Sequence, residues 1–169
     1  VSVRVPMFTM YNTKPEFFWL TNYFETLLSA IIWLPCNSAT IAKQYREILD
    51  KMAHETSDNL DFVNWQGHDF SMRGMGGMEA AITSAAGHLL SFMGTDTIPA
   101  IDFLENYYNA NSDNELIGAS VAATEHSVMC MGTTDGEFET FKRLITQIYP
   151  KGIVSIVSDT WDLWKVLTQ

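Results

Sequence analysis

The chain is short of the residues that build disulfide and metal chemistry. Its 169 residues include 2 cysteines and 4 histidines. Cys36 and Cys130 lie far apart and form no CxxC pair, so a disulfide framework does not organise the fold and reduced thiols in a cytosolic protein are expected. His54, His68, His88 and His126 show no paired ligand spacing, and no metal ligand set is assigned to them. Cations are scarce too. Lys and Arg number 10 against 20 Asp and Glu, giving a net charge of −10. That balance argues against nonspecific nucleic-acid binding, while leaving room for a local basic anion site. Hydrophobic residues reach 47%, yet the longest apolar candidate, Leu27 to Leu34, falls short of a membrane helix of roughly 20 residues. The start lacks a basic-then-apolar signal pattern. Neither a nucleic-acid partner nor a membrane is expected.

What is present suffices for one domain with a proper core. The first residue is Val1, not Met, and the apolar helical pattern Thr160–Leu167 runs almost to the last residue with Trp161 and Trp164 in it. The expectation is a single incomplete segment, residues 1–169, of a longer enzyme.

The stretch around which the chain is organised is Gly67-His68-Asp69-Phe70-Ser71-Met72-Arg73-Gly74. It joins a short apolar run, Phe62–Trp65, expected to be a strand, to a helix starting near Met78. It offers a carboxylate, a ring and a guanidinium, with Gly76 and Gly77 close behind. Glycine lets the backbone approach a ligand, and arginine and a helix N-terminus both favour anions. An anion site and an ordinary strand-to-helix loop with a surface arginine both fit these residues.

Before this stretch, Val3–Met10 reads as a strand. Thr13 is expected to cap a helix from about Pro15 that Pro35 closes, and Ser38 to cap a second helix carrying Ile41, Tyr45, Ile48, Leu49 and Met52 on one stripe. His54 suits the C-terminal end of that helix and receives no function. After it come a small-residue helix from Glu79 to about Leu90, the apolar run Leu89–Met93, a helix over Ile98–Tyr108, and the short run Leu116–Ala119. A helix through Glu125–Met129, an amphipathic helix over Asp135–Ile148 with Phe138, Phe141, Leu144, Ile145 and Ile148 inward, and a buried-type strand Gly152–Val157 complete the pattern.

Short strand, polar loop and helix thus alternate, which predicts an α/β fold with parallel strands, in a sheet or barrel. Asp69 and Arg73, then Thr95 and Asp96, then Ser120, then Ser158 and Asp159 each follow an expected strand. In a βα-barrel such positions face one pocket. About five strands are expected, fewer than the eight of a closed barrel.

Five segments carry a family resemblance: Phe18–Asn22 with Glu25-Thr26, His68–Gly74, Gly94–Thr97, Ala123–Ser127 and Val157–Asp159. In this order and spacing they resemble the nicotinamide phosphoribosyltransferases, over nearly the whole chain and as a middle segment of the family's length. The resemblance implies an irregular α/β barrel of the type II phosphoribosyltransferase class. It implies a reaction joining nicotinamide to phosphoribosyl pyrophosphate with Mg²⁺, giving nicotinamide mononucleotide and pyrophosphate, stimulated by ATP. It implies that Phe70 stacks on the pyridine ring, Arg73 binds phosphate, Asp96 bonds the amide and Ser120 lines the pocket. His126 would be phosphorylated from ATP and Asp159 would lie near ring and ribose. A cytoplasmic homodimer is implied for the full-length protein. The family's later phosphate-binding segment and the N-terminal aromatic that sandwiches the base do not occur in this chain, so it is expected to carry about half a site and not to turn over alone.

Those residue types suit the reaction. A carboxylate such as Asp159 stabilises an oxocarbenium-like state, arginine and Mg²⁺ suit a leaving pyrophosphate, and histidine suits a phosphoryl acceptor. Three rivals stand beside this reading: a nicotinate phosphoribosyltransferase, a noncatalytic phosphate- or nucleotide-binding module, and a hydrolase using Ser120 or Ser127 with His126. Glu125, His126 and Ser127 are adjacent, so on a helix their side chains diverge by about 100° and do not form a triad. Asp96 also has a second reading, as the cap of the helix starting near Ile98.

Overall fold

In the computed structural model of the chain, which describes residues 3–168, Pro35 does not end the first helix. A 3-10 turn over Pro15–Phe17 leads into α1, Phe18–Thr56, a single helix of 39 residues. Proline removes one backbone donor and crowds the carbonyl of the preceding turn, a cost that this helix carries at Pro35. Near it, Asn37 Nδ2 donates to the Trp33 carbonyl at 2.7 Å and Thr40 Oγ1 to the Cys36 carbonyl at 2.7 Å. Ser38 caps nothing. It donates instead to the Ser84 carbonyl at 2.6 Å, 46 residues away. Thr13 is not a cap either, since neither the 3-10 turn nor α1 has a side-chain cap. Because the two expected helices are one, residues 15–56 are long enough to cross a membrane by length and composition, with a window of mean hydropathy 1.2. The same helix carries Lys43, Arg46, Glu47, Asp50 and Lys51 in its second half. Arg46 bonds Asp50 at 2.8 Å, Asn64 Oδ1 at 2.8 Å and the Ser91 carbonyl at 2.7 Å.

Residues 1–119 and 120–169 are two compact units. In the first, α1 lies along α3, Met78–His88. Small residues make the approach possible: Ala81, Ser84, Ala85, Ala86 and Gly87 are buried. A Cβ on Gly87 would stand 2.6 Å from the Pro35 carbonyl oxygen, so only glycine fits there. The expected strand at Phe62–Trp65 is a 3-10 turn, Asp61–Trp65, with Val63 buried. The strand comes later, as β1, His68–Asp69. It is followed by the one-turn helix α2, Ser71–Gly74. Likewise the run Leu89–Met93 turns, and β2 is Gly94–Thr95. β1 and β2 pair in parallel, His68 with Gly94 and Asp69 with Thr95, and Ala119 makes a parallel bridge to Gly94. α4, Pro99–Tyr108, starts on a proline in its first turn and ends on Asn109 in the left-handed region at φ 57°. Val3–Met10, expected as a strand, is turn and irregular chain. A strand exists only through a paired neighbour, and among the described residues this segment has none.

The second unit holds β3, Ala122–Ala123, and β4, Val154–Ser155, again parallel. Between them run α5, His126–Cys130, and α6, Glu137–Arg143, which widens into a π-turn over Leu144–Ile148. Of the five residues expected inward on α6 and its extension, Leu144 is buried, Phe141 half-buried, and Phe138, Ile145 and Ile148 exposed. α7, Leu163–Thr168, follows β4, and Trp164 within it is 74% exposed. Helices thus alternate with short parallel strand pairs, the α/β class that the sequence pattern predicts.

Candidate functional site

In the first unit the backbone alternates at two strand ends, and the alternation sorts the side chains. Asp69, Thr95 and Thr97 turn inward and are buried, whereas His68, Phe70 and Asp96 turn outward. Asp69 is 7% exposed and binds four donors. One oxygen accepts from the Ser71 backbone N–H at 3.2 Å and from the Ser71 hydroxyl. The other accepts from Thr95 Oγ1 at 2.9 Å and Thr97 Oγ1 at 2.7 Å. Thr95 Oγ1 in turn accepts from the Thr97 N–H at 3.0 Å. Asp69, expected among the pocket-facing loop residues, is therefore a buried clamp joining β1, α2, β2 and the start of α4. A carboxylate that buries both oxygens in this way must satisfy them locally.

The clamp fixes the two outward groups. Phe70 is 53% exposed, with the Arg73 guanidinium 5.9 Å from its ring centroid. Asp96 Oδ1 lies 2.9 Å from His68 Nε2. Its side chain is 40% exposed. α4 receives no side-chain cap, so the reading of Asp96 as a helix cap is set aside. The His68 and Phe70 rings meet at 4.7 Å between centroids. A ring, a cation and a partly exposed carboxylate thus share one strand-end surface, a set able to stack on a planar ring, draw in an anion and accept hydrogen bonds. Beneath it His88 stacks on Phe92 at 5.2 Å, and its Nε2 lies 3.1 Å from the Gly94 carbonyl. Burial pushes the His88 pKa down, against the opposing charge of Asp69 and the bond to Gly94.

In the second unit His126 Nε2 lies 2.9 Å from Asp159 Oδ1, across 33 residues, with both side chains more than 60% exposed. The strand pairing carries this meeting: the Thr124 N–H donates to the Ser155 carbonyl at 3.0 Å, and the Val157 N–H to Thr124 Oγ1 at 3.0 Å. Ser127 donates to Glu125 and not to His126, so the hydrolase arrangement is not formed. Ser120, the first residue of this unit, has its hydroxyl 3.5 Å from the Val121 carbonyl. No cluster of three or more metal-ligating side chains occurs among the described residues.

His68 and the clamp role of Asp69 were missed at the level of sequence. The signal was there: in an extended His68-Asp69-Phe70, residues 68 and 70 share one face and 69 takes the other, as do Thr95 and Thr97 around Asp96.

These strand-end groups stand on short parallel strands linked by helices, and sequence comparison identifies the family. A profile of the nicotinate phosphoribosyltransferase (NAPRTase) family matches residues 65–169. The chain belongs to that family. It is 55% identical over 169 residues to a nicotinamide phosphoribosyltransferase of Acinetobacter baylyi, covering 100% of this chain and 33% of the relative. It is 39% identical over 170 residues to the Mycoplasma pneumoniae protein of the same name, covering 99% of this chain and 34% of the relative. With that of Xanthomonas campestris pv. campestris it shares 30% over 165 residues, covering 96% and 34%. The chain thus spans about a third of the length of the curated relatives it matches.

Proposed function

We propose that the full-length protein carrying this chain is a nicotinamide phosphoribosyltransferase of pyridine-nucleotide salvage, and that the chain is part of an irregular βα-barrel. The two parallel strand pairs support the barrel, each pair being joined through helices. The observation that carries the base assignment is Asp96. Its carboxylate stands at the end of β2, tied to His68 and not spent on capping α4. The amide of nicotinamide donates hydrogen bonds, whereas nicotinate presents a second carboxylate that only accepts. Asp96 therefore suits the amide and repels the acid. The exposed Phe70 ring supplies a stacking face and Arg73 a phosphate contact.

In this reading the base nitrogen attacks the anomeric carbon of phosphoribosyl pyrophosphate as the bond to pyrophosphate breaks. Asp159 stabilises the positive charge that builds on the ribose. Mg²⁺ enters with the diphosphate and with ATP as part of the substrate, supplying charge neutralisation there. His126 takes the γ-phosphoryl group of ATP as the β–γ phosphoanhydride bond breaks and ADP leaves. With Nε2–H donating to Asp159, a neutral ring carries its lone pair on Nδ1, and that nitrogen is the acceptor. Ser120 lines the base pocket. The protein works in the cytoplasm as a homodimer, with no membrane or nucleic-acid partner.

The description of the matched family favours one second reading, a nicotinate phosphoribosyltransferase. The test is to supply the full-length protein with phosphoribosyl pyrophosphate, Mg²⁺ and either base. Nicotinamide mononucleotide as the preferred product supports the proposal. Preference for nicotinate selects the second reading, and product from neither base leaves a binding module.

A further inference from the structure

We propose that the cavity between α6 and α7 receives an arginine or lysine side chain from the part of the full-length polypeptide outside residues 1–169, and that this side chain pairs with the buried carboxylate of Glu137.

The cavity has a volume of about 390 Å³. Phe138 and Phe141 of α6 and Val166 of α7 give it apolar walls, and Asp135, Glu137 and Lys165 bring charge to it. Asp135 and Lys165 are exposed, so water solvates them. Glu137 is different. It is 8% exposed, and its Oε1 is shut off from solvent with no hydrogen-bond partner among the described residues. Buried acceptors in a folded protein are partnered, and a buried carboxylate without a partner is costly. Lys165 lines the same cavity from α7 without reaching this oxygen. Thr160, three residues before α7, likewise buries a hydroxyl oxygen that no described residue meets.

The lining dictates the chemistry of the partner. Two carboxylates against one ammonium leave the cavity acidic. A neutral donor would satisfy the Glu137 oxygen but leave its charge uncompensated, whereas a cation does both. Arginine and lysine combine a methylene stem, which packs on Phe138, Phe141 and Val166, with a cationic head for Glu137. The source follows from length. The chain spans about a third of the relatives it matches, so in a protein of that length most of the polypeptide lies outside residues 1–169. The two helices also expose Phe138, Trp164 and Leu167. Large apolar side chains gathered on neighbouring helices mark a surface that other protein covers.

The test uses the full-length protein in two measurements. In its crystal structure, a side-chain nitrogen of an arginine or lysine outside residues 1–169 of the same protomer should lie within about 4 Å of the Glu137 carboxylate. Lys165, a residue of a neighbouring protomer, a bound small molecule or water alone in that place overturns the proposal. Thermal unfolding gives an independent reading. Glu137→Gln keeps the shape and one acceptor while removing the charge. Stripping a buried cation of its partner should lower Tm by about 2 °C or more. A smaller fall, or a rise, is the response of a carboxylate that has no cationic partner, and it overturns the proposal. The Tm changes of Glu137→Gln and Lys165→Gln should add within about 1 °C in the double variant. A larger shortfall makes Lys165 the partner and overturns the proposal too.

Discussion

Removing the buried carboxylate of Asp69 is expected to cost several kcal/mol of stability. Asp69→Ala strips the acceptor from the Ser71 N–H and from the hydroxyls of Ser71, Thr95 and Thr97. Each donor left buried and unpaired costs about 1–3 kcal/mol, and hydrogen bonds to a charged group fall at the upper end. The hydroxyls can rotate toward other acceptors, whereas the backbone N–H cannot, so the four losses do not add. A total of roughly 3–5 kcal/mol follows. For a chain of this size each kcal/mol shifts Tm by about 2–4 °C, giving a fall of roughly 6–20 °C. Asp69→Asn separates charge from shape. It keeps one acceptor for the Ser71 pair, and its NH₂ can donate to the two threonine oxygens once they turn. Its expected loss is about 1–2 kcal/mol, or roughly 2–8 °C. The assay is thermal unfolding of the three proteins followed by circular dichroism, together with kcat/KM for the base in the full-length enzyme at a temperature where all three are folded. A fall of less than about 3 °C for Asp69→Ala would refute the clamp. So would unchanged Tm with activity abolished, which is the signature of a residue that meets substrate.

Asp96→Ser should narrow or reverse the preference for nicotinamide. Two like charges about 4 Å apart repel by roughly 4 kcal/mol at an effective dielectric near 20, and the partial exposure of Asp96 lowers that figure. A change of at least about tenfold in the nicotinamide-to-nicotinate ratio of kcat/KM is expected, and identical ratios in wild type and variant would remove Asp96 as the selector. His126→Ala in the full-length enzyme should abolish stimulation by ATP while leaving some ATP-independent mononucleotide formation; intact ATP coupling would rule out the phosphoryl role. His88 gives a pH prediction. Its folded pKa lies below the ordinary 6.5, so the unfolded chain binds more protons just below that pH. Stability is complete above pH 6.5 and declines as pH falls below it toward the lowered value. Tm measured between pH 5 and 7.5 should show this decline in wild type and a shallower one in His88→Gln, and equal slopes would exclude His88 as its source.

The sequence by itself determined several local elements and offered the candidate working groups. The small-residue helix expected from Glu79 to about Leu90 is Met78–His88, and the one expected over Ile98–Tyr108 is Pro99–Tyr108. Helices are legible because their hydrogen bonds close within four residues and their stop and start signals are local. Phe70, Arg73, Asp96, Ser120, His126 and Asp159 became candidates for a different reason, through the motifs that resemble the phosphoribosyltransferases. Tertiary structure alone decided which of them meet. His68 reaches Asp96 across 28 residues and His126 reaches Asp159 across 33, distances along the chain that no periodicity encodes. It also decided that Val3–Met10 and Phe62–Trp65 are not strands, since a strand is made by its partner and not by its own apolar content. It carried α1 through Pro35, where packing against α3 offsets the missing backbone bond and the crowding of the proline ring. It turned Asp69 from an apparent site residue into the buried clamp beneath the site, because a single step along an extended strand exchanges solvent for core.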